Sequence, residues 1–374
     1  MTLKEEFIKL GYTEEDYEII RNNYAVNQIK DETLIKKLKD NFAFLLKMGY
    51  TKEEVIKMTK SSPQIYSYSI ENMKQKIEDI ISLGYTKEEV VKMTKTLPAI
   101  YGYSIENIKQ KIEDIISLGY TKEEVVKMTK TLPAIYGYSI ENMKQKIEDI
   151  ISLGYTKEEV IKMTKSLPAI YGYSIENMKQ KIEDMITLGY TKEEIIKMTK
   201  SLPSIYSYSI ENMKQKIEDI ISLGYTKEEV IKMTKILPSI YGYSIENMRQ
   251  KIEDIISLGY TKEEVIKMTK ILPSIYGLSI ENMKQKIDFY DSIDMHELAV
   301  INPKQLMQSV NLSYARYSFY KDRGIDIDMN NYGKLFVGQK NFEKTYGITK
   351  KELLEKYDYN KYKEEKEKEN GRII

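Results

Sequence analysis

Pairs of lysines three residues apart recur at a fixed interval along the chain, and they are the side chains best suited to bind an anionic partner. One copy reads "KEEVVKMTKTLP", in which the pair is Lys92 and Lys95. Residues three apart lie on one side of a helix, and a row of ammonium groups can neutralise the phosphates of a nucleic acid. The candidate nucleic-acid-binding residues are Lys57, Lys60, Lys92, Lys95, Lys127, Lys130, Lys162, Lys165, Lys197, Lys200, Lys232, Lys235, Lys267 and Lys270.

The same charges also fit an ordinary solvated helix face. Glu88 and Glu89 precede the two lysines, so acids stand near the start of the helix and bases near its end, which complements the helix dipole. Glu88 and Lys92 are also four residues apart, the spacing of a surface ion pair. The pattern alone therefore supports either a phosphate-binding row or a solvated surface.

Other classes of chemistry find little support in the sequence. The chain has no cysteine, and His296 is its single histidine, so a zinc or thiol site lacks its usual ligands. No glycine-rich phosphate loop and no nucleophile–base set occurs. We predict that the protein is not an enzyme and has no metal or other cofactor.

The overall charge gives no long-range attraction for a polyanion. Lysine and arginine number 58 and aspartate and glutamate 57, for a net charge of +1, so a nucleic acid must be bound by a local patch. The opening "MTLKEEFIKLGYTEEDYE" has neither the apolar core of a signal peptide nor the composition of a transit peptide. We expect a cytoplasmic protein that does not span a membrane.

A proline ladder defines the elements that must position these lysines. Successive prolines are 35 residues apart at Pro63, Pro98, Pro133, Pro168, Pro203, Pro238 and Pro273, and Pro303 follows in a diverged copy. A fixed period of this length predicts a solenoid, in which each repeat packs on its neighbours. We divide the chain into a diverged N-terminal capping unit (1–47), tandem 35-residue helical repeats (48–287), a diverged C-terminal repeat (288–328), a helical C-terminal cap (329–360) and a charged, disordered tail (361–374).

Each repeat has the signals of two helices. Thr86 with Glu89 forms a capping box for the first helix, and Pro98 ends that helix because the residue before proline leaves the α region. The segment "PAIYGY" reads as a 3₁₀ turn. Ser104 caps the second helix, and Gly119 stands where a helix C-terminal glycine belongs. The predicted fold class is an all-α helical-repeat solenoid.

The three tyrosines of each repeat are expected to belong to the core. Tyr85 and Tyr103 each precede a helix cap and can pack against Val90 and Ile108, respectively, as hydrophobic staples. Tyr101 stands beside the proline, where a buried residue is expected. Stacking on nucleobases is the alternative for these rings.

The complete repeat pattern, "P-x-I-Y-x-x-S-I-E-N-M-K-x-K-I…L-G-Y-T-x-E-E-V-x-K-M", resembles the repeat of the mTERF family, the mitochondrial transcription termination factors. The resemblance covers roughly residues 45–325, and the later "NFEKTYGITKKELLEKY" is similar to the C-terminal segment of such proteins. It implies a curved all-helical superhelix that binds nucleic acid in its groove. We expect DNA ahead of RNA, with a possible role in regulating transcription, and a protein-interaction scaffold as the alternative.

The near-identity of the repeats limits how much base sequence they could recognise. Positions that differ between copies, such as Val91 and Ile56 or Gly102 and Ser67, change conservatively. Direct base reading needs side chains of different hydrogen-bonding character from one repeat to the next. If the array binds nucleic acid, we expect it to contact backbone and shape, with any sequence preference arising at the ends.

Overall fold

The computed structural model describes the backbone of residues 2–370 and side chains up to Glu365, and every regular element in that range is helical. The chain forms two compact bodies, Met1–Gln180 and Lys181–Ile374. In both bodies the same unit recurs, a short helix, a 3₁₀ turn and a long helix. The predicted all-α repeat fold is confirmed.

The bounds of these elements follow the proline ladder. The short helices are Lys52–Ser61, Lys87–Thr96, Lys122–Thr131, Lys157–Ser166, Lys192–Ser201, Lys227–Ile236, Lys262–Ile271 and Leu298–Ile301. The 3₁₀ turns are Pro63–Ser67, Pro98–Gly102, Pro133–Gly137, Pro168–Gly172, Pro203–Ser207, Pro238–Gly242, Pro273–Gly277 and Pro303–Met307. The long helices are Ile70–Ser82, Ile105–Ser117, Ile140–Ser152, Ile175–Leu188, Ile210–Ser222, Ile245–Ile256, Ile280–Asp291 and Val310–Lys321.

The ends of the chain depart from this unit. The first body begins with helices Leu3–Leu10, Glu14–Arg21 and Asp31–Lys47, without a proline turn. The second body ends with the 3₁₀ turn Tyr332–Phe336 and helices Gln339–Tyr346, Lys350–Lys356 and Tyr359–Asn370. Among the described residues, no helix has both the length and the apolar character needed to cross a membrane.

The last helix runs into the segment for which the sequence predicts disorder. Tyr359 and Tyr362 pack on Tyr314, with ring centroids 5.4 and 4.7 Å apart, and these contacts hold the first turn of the helix. The Glu- and Lys-rich sequence that follows consists of good helix formers. Residues 371–374 of the predicted tail lie outside the described residues.

Local capping places each helix as the sequence predicts. Thr86 Oγ1 accepts a bond from the backbone N–H of Glu89 at 3.2 Å, and Glu89 Oε2 accepts one from the N–H of Thr86 at 2.8 Å. Ser104 Oγ accepts from the N–H of Asn107 at 3.0 Å. Gly119 adopts φ +116°, in the left-handed region that favours glycine. These bonds satisfy helix-end groups that would otherwise lack partners.

Within each body, a buried chain of hydroxyl groups joins successive tandem repeats. Tyr85, the residue before a short-helix cap, extends into the following repeat, where its hydroxyl lies 2.5 Å from Thr129 Oγ1 and 2.7 Å from Tyr136 Oη. All three side chains are buried. Tyr85 is a core residue, as predicted, but it anchors the neighbouring repeat in addition to its own helix.

The number of hydrogens available to these hydroxyl groups identifies the donor and the acceptor in each bond between them. Thr129 Oγ1 donates to the carbonyl of Val125 in its own helix at 2.9 Å. Its oxygen is then the acceptor for Tyr85, whose own oxygen accepts from Tyr136. Each hydroxyl therefore donates once, and the chain ends on a backbone carbonyl.

The same three-residue chain recurs within both bodies. In the first body it comprises Tyr12, Thr59 and Tyr66; Tyr50, Thr94 and Tyr101; Tyr85, Thr129 and Tyr136; and Tyr120, Thr164 and Tyr171. In the second body it comprises Tyr190, Thr234 and Tyr241, and Tyr225, Thr269 and Tyr276. Tyr12 belongs to the N-terminal cap, so the cap uses the same junction as the repeats.

Replacing Thr129 with valine should destabilise the array, because Tyr85 then loses its acceptor inside the core. Leaving a buried hydroxyl unsatisfied costs about 1–3 kcal/mol. Thr131→Val is the matched control, since Thr131 is exposed in the same helix, and surface changes of this kind usually stay within about 0.5 kcal/mol. Urea unfolding followed by circular dichroism measures both variants, and equal midpoints would contradict the role of the chain.

Alkaline pH should also weaken the junctions. Burial raises the pKa of Tyr85 and Tyr136 above the ordinary value of 10.0. The stability that these neutral phenols contribute is therefore fully present below pH 10 and is lost as the pH rises above it. We expect the urea midpoint to stay constant up to about pH 9 and to fall progressively as the pH rises above about 10.

The control for this pH dependence is the double variant Tyr85→Phe with Tyr136→Phe, which removes two titrating groups. Its midpoint should start lower and fall less steeply over the same range. A slope identical to that of the parent would show that other groups, such as lysines, cause the alkaline loss.

Candidate nucleic-acid interface

The structure separates the candidate lysines into two rows. The first, called here the outer row, lies in the middle of the short helices and consists of Lys57, Lys92, Lys127, Lys162, Lys197, Lys232 and Lys267. All seven are exposed, and none of their ammonium groups forms an ion pair or hydrogen bond with another described residue. Their position one turn from the buried stripe, which includes Val90 and Met93, keeps them in solvent.

The second row, called here the junction row, bonds to the preceding repeat. Lys95 Nζ lies 2.9 Å from Glu54 Oε2 and Lys130 Nζ lies 2.8 Å from Glu89 Oε1. The same contact occurs for Lys60 with Asp16, Lys165 with Glu124, Lys235 with Glu194 and Lys270 with Glu229. These carboxylates are the capping-box acids. Each one therefore accepts a bond from the backbone N–H at the start of its own helix and also pairs with a lysine of the following repeat.

The electrostatics of the acids reflect both partners. The Lys130 ammonium, and after it the Thr86 backbone N–H, lowers the pKa of Glu89. The Lys95 ammonium has the same effect on the pKa of Glu54. Lys95 also lies 5.6 Å from the centre of the Tyr50 ring, which belongs to a buried hydroxyl chain. A lysine held in this way is less available to a phosphate than one in the outer row.

Each lysine of the outer row has an acidic neighbour one turn earlier in its helix. The residues are Glu53, Glu88, Glu123, Glu158, Glu193, Glu228 and Glu263, all exposed. The exposed stripe of a short helix therefore alternates a carboxylate with an ammonium group. Because the charges alternate, the positive potential of this stripe is confined to the lysines, and the outer row repeats it at the 35-residue interval.

One turn after the outer row, the two bodies differ. The first body has hydroxyl residues at this position, at Ser61, Thr96, Thr131 and Ser166. In the second body the first short helix also has a hydroxyl residue, Ser201, whereas Ile236, Ile271 and Ile301, the last residues of the next three short helices, are 59%, 40% and 47% exposed. The hydroxyl groups of the first body donate to backbone carbonyls of their own helices, and one that rotates outward can donate to a phosphate instead. Exposed isoleucines favour an apolar partner. The first body is therefore the better candidate for contact with a polyanion.

A third set of lysines, which the sequence analysis did not identify, joins the long helices. Lys111 Nζ donates to the carbonyl oxygen of Tyr138 at 2.6 Å, and Lys216 Nζ donates to that of Tyr243 at 2.7 Å. The equivalent residues Lys146, Lys181, Lys251 and Lys286 donate to backbone carbonyls in the same way. Their recurrence at one helical position is visible in the sequence, but the acceptor, 27 residues away for five of them and 20 for Lys286, is not.

The tyrosine that precedes the long helix is not fully buried. Tyr103 is half-buried and lines an open cleft with Asn107 and Lys111. The prediction of a core role holds for Tyr85 and Tyr101, while Tyr103 is partly accessible because its helix entry lies at the surface. The approach of the Tyr68 hydroxyl to Gly102, where a Cβ would lie 2.4 Å from it, gives a reason for glycine at that turn.

His296 has a local structural environment. Its Nδ1 lies 2.6 Å from Asp291 Oδ1, and its ring stacks on Tyr260 with centroids 4.2 Å apart. Tyr260 in turn donates to the His296 carbonyl at 3.0 Å. Within residues 2–370 no group of three or more His, Cys, Asp or Glu side chains is arranged to hold a metal ion.

Comparison with known protein families gives one result that covers most of the chain. The model of a family described as mTERF matches residues 5–152, 81–187, 110–223, 147–256 and 185–325. No curated protein matches the chain. The overlapping matches follow the repeats, from the N-terminal cap to the diverged repeat that contains Pro303.

The two rows should differ in chemical reactivity. Acylation requires an amine that the reagent can reach, and the ion pairs with Glu54 and Glu89 hold the Lys95 and Lys130 side chains against the preceding repeat and partly cover them. We expect a limiting amount of an amine-reactive ester to label Lys92 and Lys127 before Lys95 and Lys130. Fragment-ion mass spectrometry locates the label. Urea-unfolded protein is the control, in which the difference should vanish. Equal labelling of both rows in the folded protein would contradict the separation.

Proposed function

Because the chain belongs to the mTERF family, we propose that it binds nucleic acid, and that the outer row contacts the phosphate backbone of duplex DNA. The observation that carries this proposal is that each tandem repeat exposes the lysine in the middle of its short helix without an ionic partner among the described residues. The first body supplies Lys57, Lys92, Lys127 and Lys162, each followed by a hydroxyl residue one turn later. Lysine and hydroxyl side chains are common phosphate contacts.

The same arrangement supports binding without strong sequence preference. Successive repeats present nearly identical side chains, and a phosphate contact carries no base information. The carboxylate of Glu88 and its equivalents repels phosphates, so attraction is confined to the ammonium groups and falls steeply with salt. Occupation of a duplex by such an array would regulate transcription by obstruction and needs no catalytic residue.

A protein-binding role is the second candidate, and one observation in the second body favours it. Ile236, Ile271 and Ile301 are exposed at the same position of three short helices. Such a row of apolar side chains suits the apolar face of a partner helix. The alternation of Glu and Lys beside it suits a protein as well as it suits a nucleic acid.

The test of the nucleic-acid proposal compares the two lysine rows. The triple variant Lys92→Gln, Lys127→Gln, Lys162→Gln removes three outer-row charges from the first body. The control Lys95→Gln, Lys130→Gln, Lys165→Gln removes three charges from the same helices at junction positions. If four outer-row lysines of this body each neutralise one phosphate, they contribute about −4 to the slope of log K against log salt, at ~0.9 per contact.

Fluorescence anisotropy with a labelled duplex at several salt concentrations measures this slope. We expect the outer-row variant to bind more weakly and to reduce the slope by about 3. The junction-row variant should change the slope by less than about 1, while its urea midpoint falls. If both variants lose affinity equally, the outer row is not the contact surface. If the parent binds neither duplex nor single strands at low salt, the nucleic-acid proposal fails and the scaffold remains.

A further inference from the structure

The second body contains a cleft lined by more aromatic rings than the clefts described in the tandem repeats, such as the one that Tyr103 and Tyr136 line. It has a volume of about 440 Å³ and is lined by Phe289, Tyr314, Tyr317, Tyr362, Lys321 and Asp322. We name it the terminal cleft. The surface of a solenoid of near-identical repeats offers the same groups at every step, so a cleft of different composition at the end of the array can bind something that the repeats cannot.

The aromatic side chains of the terminal cleft stand where the repeats have charges. Phe289 occupies the same position after the capping serine as Asp254 in the preceding long helix. Tyr314 likewise occupies the position of Lys284. Phe289 is buried, whereas Tyr314 is half-buried. The exchange of charges for rings therefore gives this end of the array an apolar wall that is partly accessible to solvent.

The rings form walls that a planar group could enter. Phe289 contacts Tyr314 and Tyr317 edge to face, with centroids 6.1 and 6.0 Å apart. Tyr314 stacks on Tyr362 at 4.7 Å. Tyr314, Tyr317 and Tyr362 are half-buried, so part of each ring remains accessible from solvent.

The charged residues of the cleft decide which planar ligand fits. Lys321 Nζ already lies 5.7 Å from the centre of the Tyr317 ring, so a cationic ligand such as a methylated lysine would be repelled there. An anionic substituent is attracted to that ammonium group instead. Asp322 Oδ2 accepts a bond from Tyr357 Oη at 2.7 Å, which fixes the carboxylate among the lining residues. A carboxylate so placed can accept from the exocyclic amine of a base.

These features together define one ligand chemistry. We propose that the terminal cleft binds one unpaired nucleobase at the end of a nucleic-acid strand, with the base stacked on Tyr317 and its phosphate near Lys321. This inference rests on the proposed nucleic-acid-binding function and adds a position at which the array distinguishes a strand end from the interior of a duplex. Bases that carry an exocyclic amine are preferred, because Asp322 can only accept.

The test uses 2-aminopurine, whose fluorescence is quenched when it stacks on an aromatic ring. The probe stands at the unpaired terminus of an overhanging duplex in one substrate and at an internal paired position in another. We expect quenching of the terminal probe by the parent protein and none of the internal probe. The variant Tyr317→Leu keeps an apolar side chain against Phe289 and should abolish the quenching.

The matched control is Tyr332→Leu, a half-buried tyrosine of the same body that packs on Phe336 and does not line the cleft. It should leave the quenching unchanged. Both variants are also titrated with 2-aminopurine riboside monophosphate, which needs no outer-row contact. Loss of the stacked ring should weaken nucleotide binding roughly five- to a hundredfold, the range of base–aromatic stacking.

The outcomes separate this inference from the proposed function. If the parent binds the duplex but the terminal probe stays bright, or if Tyr332→Leu abolishes quenching as fully as Tyr317→Leu, the cleft proposal is overturned while the outer row stands. If no strand binds but the mononucleotide is quenched by the parent and not by Tyr317→Leu, the cleft proposal survives and the proposed function fails. If neither strand nor mononucleotide binds, both are overturned.

Discussion

A hydroxyl group buried in an apolar core must find a hydrogen-bond partner, and in this protein that partner lies in the next repeat. Tyr85 can remain in the core only because Thr129 and Tyr136 meet its hydroxyl group, and Thr129 in turn relies on the carbonyl of Val125. A single repeat would leave these groups unsatisfied at a cost comparable to a large fraction of a small domain's stability. Stacking is therefore a requirement for each repeat and not an addition to an already stable unit. Outside the core, the ion pairs of the junction row and the bonds from Lys111 and its equivalents to backbone carbonyls also hold neighbouring repeats together.

The sequence was sufficient to predict the local structure of each repeat. Proline, capping-box, serine-cap and glycine signals act within a few residues of the chain, so their effects on helix bounds do not depend on the neighbours. The contacts between repeats depended on three-dimensional register, which the sequence alone did not provide. Tyr85 carried the signal of a hydrophobic staple, and nothing local indicated that its hydroxyl would bond to a threonine 44 residues later.

The same limit applies to the candidate site. Lys92 and Lys95 are equivalent in sequence, since both follow two glutamates on a short helix and both avoid the apolar stripe. The structure distinguishes them because the stacking of short helices brings Glu54 to Lys95 and leaves Lys92 in solvent. The terminal cleft was hidden for a related reason. Its rings come from residues as far apart as Phe289 and Tyr362, and each alone looked like part of a diverged end repeat.

The hydroxyl chain has a consequence for how such a protein can change length. Each tandem repeat with this pattern offers a tyrosine on one side and a threonine–tyrosine pair on the other, so these copies are complementary to one another, whereas at the diverged end Tyr260 bonds to the His296 carbonyl instead. Excision or duplication of a whole 35-residue segment rejoins matching sides and recreates every junction. An insertion of another size would leave a tyrosine facing a mismatched surface. The number of repeats can therefore change during evolution without loss of a junction. The length of each repeat cannot, because the tyrosine of one copy must reach the threonine and tyrosine of the next.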